Sequence, residues 1–428
     1  MVKLKIKALI LAGGVGQRLR PLTNTRPKPM IEIAGRPLLF YLIKSLRDLG
    51  IRDIYIVLGY RGDQIREYFK SGEDLGVKIT YLEQREPMGI KDAILRGRSI
   101  LEHEEKFVIL HANVLVETEL IRRTITSFEE MEDDMTIAVT LVSRPHLHTI
   151  VTFDEESRVK YLIERPKAGQ EPSNYALAGV YVCSSRVFEV LENELTFPEA
   201  VNALSMKGRV FATIWEKEWV EVQYPWDILR ANTYILTKML KGRGSFISEK
   251  AEVMDGVKIE GPVWISDNAV IRQGTILKGP AYIGENSYVG NNSLIREFTS
   301  IGKNSIIGFG VETKNSVIFD NTKVGRLSFI GDSIIGSNVD IGAGTQTWNT
   351  SLGRHPIYIQ INSEKIEIPL EKFGAVIGDN TRIGINVSIL PGKIIGNNVE
   401  ISAGVIVDRN IPPNSVVKSK YELIVEQL

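Results

Sequence analysis

The chain has 428 residues, of which 43% are hydrophobic, with 52 acidic and 52 basic side chains. A chain of this length is too long for one compact core, so we expect two domains, each with its own interior. Because the acidic and basic side chains balance, the chain has no net positive charge with which to bind a nucleic acid non-specifically.

The N-terminal segment 1–14 combines a basic start with a short apolar run that leads directly into a Gly-rich loop. We interpret it as a buried first strand rather than a signal peptide, and no other segment approaches the ~20 apolar residues that cross a bilayer. The single cysteine, Cys183, lies in the apolar run 179–183 and is expected to be an inert strand residue. The sequence therefore predicts a cytoplasmic protein without a membrane segment.

Up to about residue 235, short β-branched runs alternate with longer amphipathic stretches, at 8–11, 38–49, 53–58, 64–71 and 77–82. This alternation is typical of βαβ units on a mostly parallel sheet, a Rossmann-like α/β arrangement. A helix is predicted at 228–241, and the Gly-rich residues after it can end it. We therefore expect an α/β domain over residues 1–241 and a second domain over 246–428.

The second domain repeats with a period of six. Aliphatic residues recur at 265, 271, 277, 283, 289, 295, 301 and 307, again at 318, 324, 330, 335 and 341, and finally at 377, 383, 389, 395, 401 and 407. Each hexapeptide can form one side of a triangular prism, with the aliphatic residue inside and Gly or Asn at the corner. The pattern predicts an all-β, left-handed parallel β-helix, a fold that commonly assembles into trimers.

Residues 345–372 interrupt the repeat and are expected to form an inserted loop, because insertions in solenoids protrude and often carry function. The terminal segment 421–428 is expected to cap the solenoid or to pack on a neighbour.

A Gly-rich loop follows the first strand and contains Gly13, Gly14 and Gly16. Backbone N–H groups at the carboxyl end of a parallel strand bind anions, although a tight turn without a ligand is an alternative. Residues 11–30 resemble, at every fixed position, the signature of the sugar-1-phosphate nucleotidyltransferases. With the hexapeptide repeats, the whole chain resembles the archaeal-type bifunctional nucleotidyltransferase/acetyltransferases.

The resemblance implies that a sugar 1-phosphate attacks the α-phosphorus of a nucleoside triphosphate and that pyrophosphate leaves. It assigns Arg18 to the pyrophosphate and Lys28 to the α-phosphate and the sugar phosphate. Nucleotide contacts are implied for Leu11, Ala12, Gly13, Gly14, Gly16, Gln84 and Gly89, with a pyrimidine favoured, and sugar contacts for Glu164 and Asn174.

The family's two magnesium-binding Asp positions correspond to Asn113 and Glu221. One amide and one longer carboxylate carry less charge than two Asp side chains, so a weakened Mg²⁺ site is expected. Lys91 is unusual for the base-reading segment, where it can block the pocket or make a new contact. His148 and Thr149 replace a Tyr-Gly pair and are expected to crowd the pocket.

In the second domain, the family's catalytic His and its assisting Tyr correspond to Arg326 and Phe329. Arg cannot serve as a base near neutral pH and Phe has no hydroxyl, so acetyl transfer is put in question. Asn349, Lys372 and Ala403 match the remaining acetyl-coenzyme A positions.

Two hypotheses follow from these matches. The first is a Mg²⁺-dependent sugar-1-phosphate nucleotidyltransferase with an acetyltransferase-like domain, assembled as a homotrimer or a higher oligomer. The second is a catalytically degenerate subunit or sensor that binds a nucleotide sugar and regulates an active paralogue.

Overall fold

The computed structural model describes residues 5–86, 88–131, 133–420, 422 and 424–426. Contacts divide the chain into two compact units, one of Met1–Val15, Arg26–Ile31 and Pro37–Glu221, and another of Gly16–Thr25, Glu32–Arg36 and Val222–Leu428. Among the described helices, none is both long enough and apolar enough to cross a bilayer. The predicted domain boundary between residues 241 and 246 stays a prediction.

The first 221 residues alternate strands and helices as predicted. In chain order they are β1 (Lys7–Ala12), β2 (Glu32–Ile33), β3 (Arg36–Pro37), α1 (Leu38–Asp48), β4 (Asp53–Leu58), α2 (Gly62–Phe69), β5 (Lys78–Glu83), α3 (Gly89–Leu95), α4 (Arg98–Leu101), β6 (Phe107–His111), β7 (Val114–Leu115), α5 (Thr118–Met131), β8 (Met135–Leu141), β9 (Thr149–Phe153), β10 (Val159–Glu164), β11 (Tyr175–Cys183), α6 (Val187–Asn193), α7 (Phe197–Met206), β12 (Val210–Trp215) and β13 (Val220–Glu221). Short 3₁₀ helices span Gln17–Leu19, Leu22–Asn24, Lys28–Met30, Glu73–Leu75 and Pro145–Leu147.

A nine-stranded mixed sheet forms the core of the first unit. β1 lies between β4 and β6 and is parallel to both, and β5 follows β4. The long strand β11 is antiparallel to β6 and β8. Because the chain leaves β1 toward β4 and later returns to its other side with β6, the carboxyl end of β1 is a topological switch point, where α/β proteins bind ligands.

Amphipathic helices cover this sheet. In α1, the buried residues are Leu38, Leu39, Leu42, Ile43 and Leu46, which follow the spacing of one helical face. Cys183 is fully buried at the end of β11, as its apolar run predicts.

The second unit begins its main segment with α8 (Pro225–Leu240) and continues as a β-helix of three parallel sheets. The first sheet contains Phe246–Ile247, Val263–Ile265, Ala281–Ile283, Thr299–Ile301, Val317–Ile318, Ile334–Ile335, Ala375–Ile377 and Lys393–Ile395. The second contains Glu252–Val253, Val270–Ile271, Tyr288–Val289, Ile306–Ile307, Lys323–Val324, Asp340–Ile341, Arg382–Ile383, Glu400–Ile401 and Val416–Val417. The third contains Lys258–Glu260, Ile276–Lys278, Leu294–Ile295, Glu312–Lys314, Phe329–Gly331, Gln346–Thr347, Ser388–Ile389 and Ile406–Val407.

The aliphatic residues of the six-residue series fill the prism interior, which confirms the β-helix. All of them are buried and belong to one hydrophobic cluster, and each such burial stabilises the fold by ~1.5–3 kcal/mol. Asn residues turn the corners with positive φ, among them Asn286 and Asn304. Their side chains hydrogen-bond from coil to coil, for example Asn286 Nδ2 to Asn304 Oδ1 at 3.2 Å.

The solenoid is interrupted between the strands Gln346–Thr347 and Ala375–Ile377. The interruption contains a 3₁₀ turn at Leu352–Arg354 and an antiparallel hairpin of Tyr358–Ile361 with Glu364–Glu367. Asn410 Nδ2 donates to the Gln360 carbonyl at 3.0 Å, which ties the hairpin to the last coils. In the terminal segment, Tyr421, Leu423, Gln427 and Leu428 lie outside the described residues, so its capping role stays a prediction.

Candidate active site at the carboxyl edge of the first sheet

The loops after β1 and β6 lie side by side at the switch point. Leu11 pairs with His111, and the Ala112 N–H donates to the Leu11 carbonyl at 3.1 Å. Gly13 and Gly14 follow the end of β1 at Ala12. Asn113 follows the end of β6 by two residues. The fold therefore brings the start of the Gly-rich loop close to one predicted metal position.

Gly13 packs against Gln84, a buried residue directly after β5. A Cβ at Gly13 would lie 2.4 Å from Gln84 Oε1, so only glycine fits here without a shift. Gln84 Nε2 donates to the Gly89 carbonyl and to Asp92 Oδ2, both at 3.0 Å. These two acceptors fix the carboxamide with its oxygen toward Gly13.

Lys91 contacts the end of a helix rather than the residues around Gln84. Its ammonium donates to the backbone carbonyl of Glu194, which is the C-cap of α6. A cation at a helix C-terminus is favourable, because the carbonyls there carry partial negative charge. Ile90 and Met88 are exposed beside it.

Asn113 and Glu221 meet although 108 residues separate them. β13 pairs with β7 so that Glu221 lies opposite Val114, next to Asn113. Asn113 Nδ2 donates to Glu221 Oε1 at 3.2 Å, and His148 Nδ1 lies 3.3 Å from Glu221 Oε2. The Glu221 carboxylate therefore contacts both the Asn113 amide and the His148 imidazole.

His111, which is half-buried, and the fully buried Tyr181 form a polar pair, with His111 Nε2 3.1 Å from the Tyr181 hydroxyl. Burial lowers the pKa of His111 to about 4; the Lys28 ammonium acts in the same direction and Glu221 opposes it. His111 is consequently neutral at physiological pH.

The predicted sugar residues lie on the neighbouring hairpin. Glu164 ends β10 and pairs with Thr149 of β9, one residue beyond His148. Asn174 is exposed, and its carbonyl accepts from the Val142 N–H at 2.9 Å. Glu164 thus lies opposite the residue that follows His148, whereas among the described residues Asn174 makes no side-chain hydrogen bond.

Gly16 and Arg18 belong to the second unit. Gly16 has φ 67° and precedes the 3₁₀ helix Gln17–Leu19, and its carbonyl accepts from Thr23 Oγ1 at 2.8 Å. Arg18 Nη1 donates to Gln223 Oε1 at 2.8 Å, and the guanidinium lies 5.3 Å from the centre of the Tyr224 ring. Two contacts therefore fix the direction of this cation.

On the β-helix, Arg326 is exposed and Phe329 is half-buried. The Phe329 ring covers Gly331, where a Cβ would lie 2.5 Å from Phe329 Cζ. The Phe329 ring thus packs against the solenoid backbone. Neither Arg326 nor Phe329 can accept a proton from an amine.

The remaining residues predicted to contact coenzyme A differ in setting. Asn349 Nδ2 donates to the buried Asp332 at 2.5 Å, whereas Lys372 and Ala403 are exposed. Asn349 is therefore already held by the solenoid, and the exposed Lys372 ammonium can meet an anionic ligand.

Four contributors to this geometry were not predicted from the sequence. The sequence predicts only steric bulk for His148 and indicates no role for Asp92, Gln223 or Tyr224. Asp92 lies three residues after Gly89 in the base-reading segment, which was a local signal. No local pattern indicates that His148 reaches Glu221.

Comparison with known proteins agrees with both halves of this architecture. Residues 7–237 match the family model described as Nucleotidyl transferase. Residues 277–366 match the model GMPPB C-terminal domain, and residues 374–409 match Bacterial transferase hexapeptide (six repeats).

Similar proteins share the full length. The Bifunctional protein GlmU of Methanococcus maripaludis strain C7 is 39% identical over 425 residues, 98% of each chain. The Bifunctional sugar-1-phosphate nucleotidylyltransferase/acetyltransferase of Sulfurisphaera tokodaii is 33% identical over 95% of this chain and 98% of its own. A Bacillus anthracis crystal structure, named for glucose-1-phosphate thymidylyltransferase, covers 54% of this chain and 94% of its own with TM-score 0.50 and 23% identity, which supports the fold.

The fold and these family matches together define a nucleotidyltransferase joined to a hexapeptide-repeat β-helix. More narrowly, the chain belongs to the bifunctional sugar-1-phosphate nucleotidylyltransferase/acetyltransferase family.

Proposed function

We propose that this chain transfers a nucleotidyl group from a nucleoside triphosphate to a sugar 1-phosphate and releases pyrophosphate. The observation that carries this proposal is the meeting of Asn113 and Glu221 at 3.2 Å, at the switch-point edge where the Gly-rich loop begins. Distant residues converge there on the position that a phosphate and a cation require.

The reaction is an in-line displacement at the α-phosphorus, whose barrier is mainly electrostatic. Backbone N–H groups of Gly13, Gly14 and Gly16 bind phosphate oxygens. Lys28 neutralises the α-phosphate and the incoming sugar phosphate, and Arg18 receives the departing pyrophosphate. Glu164 and Asn174 bind sugar hydroxyls.

Base preference follows from the Gln84 carboxamide. Both N–H donors face Gly89 and Asp92, so the oxygen Oε1 is the group offered to a base. An acceptor at this point pairs with the N3–H of uracil or thymine, whereas cytosine has no hydrogen on N3. We expect UTP or dTTP to be preferred to CTP.

A divalent cation fits Asn113 and Glu221, because Mg²⁺ sites commonly use one or two carboxylates together with substrate phosphates. When bound, the cation neutralises phosphate charge and polarises the α-phosphoryl group. With one carboxylate instead of two, we expect weak Mg²⁺ affinity in the absence of nucleotide.

For the β-helix we propose binding of a coenzyme A-like ligand through Lys372 and the Ala403 backbone, without efficient acetyl transfer, because Arg326 and Phe329 cannot accept the proton. The exposed Lys372 supports a contact to phosphate. Assembly as a homotrimer and a cytoplasmic location, where nucleoside triphosphates are available, complete this proposal.

The test is pyrophosphate release by the full-length protein with UTP, dTTP or CTP and a panel of sugar 1-phosphates in Mg²⁺. We expect turnover, and a loss of about 100-fold or more in Lys28→Ala, since a cation aimed at developing charge contributes on this scale. Lys44→Ala is the matched control, because Lys44 is an exposed lysine on α1 paired with Asp48. No turnover with any combination, combined with tight nucleotide-sugar binding, would favour the regulatory subunit.

A further inference from the structure

Gln84 and Asp92 form a hydrogen-bonded pair beside the start of the Gly-rich loop. Asp92 lies in the first turn of α3, and its Oδ2 accepts from Gln84 Nε2 at 3.0 Å. The Gly89 carbonyl accepts from the same nitrogen at 3.0 Å. Gln84 is only 5% exposed, so these protein groups rather than water set the orientation of its carboxamide.

Arg96, one helical turn after Asp92, holds the Asp92 carboxylate in an ion pair. Its Nη2 donates to Asp92 Oδ1 at 2.9 Å, and its Nε donates to Oδ2 at 3.3 Å. An ionised carboxylate accepts hydrogen bonds and donates none, and a backbone carbonyl behaves in the same way. The amide nitrogen of Gln84 must therefore face Asp92 and Gly89, which leaves its oxygen toward Gly13.

The Gln84 oxygen is left for a ligand. In the part of the chain that the structure describes, no group donates a hydrogen bond to Gln84 Oε1, although the side chain is almost completely buried. Buried polar atoms usually have a partner, and a base with an N–H group at this point would supply one. The carboxamide is thus oriented before any ligand arrives.

We propose that Asp92 is a positioning residue that sets the base preference of this site. By holding the nitrogen of Gln84, it presents an acceptor, which selects uracil or thymine, with a hydrogen on N3, over cytosine. Asp92 acts through Gln84 rather than by touching the base. The inference rests on the proposed function for the presence of a nucleotide at this edge of the sheet.

Asp92→Asn separates this role from the shape of the side chain. Arg96 can only donate, so it favours the amide oxygen of the new side chain and turns its NH₂ group toward Gln84. Two NH₂ groups then oppose each other, and rotation of the Gln84 carboxamide relieves the conflict while the Gly89 carbonyl resists it. The fixed orientation is lost, and Gln84 can offer an N–H to N3 of cytosine.

The experiment measures kcat/KM for UTP and for CTP by pyrophosphate release, and the two dissociation constants by calorimetry, with full-length protein. We expect the wild type to prefer UTP at least about tenfold, because a site built to accept an N–H rejects a base that lacks it. Asp92→Asn should lower this ratio about tenfold or more. The kcat at saturating UTP should stay within about threefold, because the base contact is made equally in the ground and transition states.

A double variant tests whether Asp92 acts through Gln84. Gln84→Ala should abolish the preference, and Asp92→Asn should change the ratio no further in that background, because the two effects belong to one interaction. Asp48→Asn is the matched control: Asp48 also forms an ion pair four residues apart on a helix, with Lys44, but it accepts from Lys44 and Arg47 rather than from Gln84. Equal melting temperatures check that every variant is folded.

An unchanged ratio in Asp92→Asn, a wild type without base preference, or a further loss in the Gln84→Ala background would overturn the inference. If pyrophosphate is released while the ratio is unchanged, the inference fails and the proposed function stands. If no pyrophosphate is released but the ratio of dissociation constants falls in Asp92→Asn, the proposed function fails and the role of Asp92 stands.

Discussion

Single residues decide the polarity of the candidate active site. His111 is kept neutral by burial, with a pKa of about 4, and Gln84 is turned by two acceptors so that its oxygen faces Gly13. Both effects are local consequences of packing, and both set which charges and hydrogen-bond groups are presented at this edge of the sheet. A single substitution at such a position changes chemistry without changing the fold.

Cys183 gives a test at the same scale, because it is the one cysteine of the chain. Burial raises the pKa of its thiol above the usual 9.0. Above pH 9 the unfolded chain therefore loses a proton that the folded chain retains, so stability falls as pH rises through this range. We expect no reaction with Ellman's reagent in the native protein at pH 8 and one equivalent in guanidinium chloride.

The matched variant is Cys183→Ala, which should flatten part of the decline in melting temperature above pH 9. A native thiol that reacts at the unfolded rate would show that Cys183 is accessible.

At the level of elements, α8 depends on polar contacts with the β-helix inside the second unit. Asn232 is fully buried; its Nδ2 donates to the Phe298 carbonyl at 2.8 Å, and its Oδ1 accepts from Ser300 Oγ at 2.6 Å. Phe298 has φ 61°, so this corner is made without Asn or Gly. The Asn232 amide thus gives the Phe298 carbonyl and the Ser300 hydroxyl a hydrogen-bond partner in place of water.

Asn232→Ala should destabilise the protein by about 2 kcal/mol or more, because it removes the partner of the buried Ser300 hydroxyl and of the Phe298 carbonyl. The measurement is the thermal unfolding midpoint. Asn193→Ala is the control, since that side chain is exposed and donates to the Glu189 carbonyl of its own helix. Equal midpoints for the two variants would contradict the role of Asn232.

At the scale of the whole molecule, the segment that carries Arg18 packs with the β-helix. Gly16–Thr25 belongs to the second compact unit, and Thr25 Oγ1 donates to Asp379 Oδ2 at 2.5 Å. Asp379 is buried and also accepts from the Ser337 N–H. The solenoid therefore helps to hold part of the predicted phosphate loop.

Thr25→Val keeps the side-chain shape and removes this hydrogen bond to a carboxylate, which contributes ~1.5–3 kcal/mol. We expect the KM for the nucleoside triphosphate to rise about fivefold or more, because the segment that carries Arg18 loses an anchor. Thr126→Val, on the exposed face of α5, is the control. An unchanged KM in Thr25→Val, measured by pyrophosphate release, would show that the solenoid contact does not organise the loop.

Features that repeat along the chain or depend on neighbouring residues can be inferred from the sequence. The six-residue aliphatic series specified the β-helix, because every inward side chain meets the same environment one coil later. The alternation of strands and helices and the loop after β1 likewise indicated the α/β domain and its family. Local geometry is enough for these inferences.

The tertiary structure alone decided which distant side chains meet. Glu221 joins Asn113 and His148 only because β13 pairs with β7 and the loop before β9 returns to the same edge. Lys91 turns to the C-cap of α6, and Thr25 reaches Asp379 across 354 residues. Such contacts depend on chain topology and on competition among many partners for each polar group, which a linear pattern does not encode.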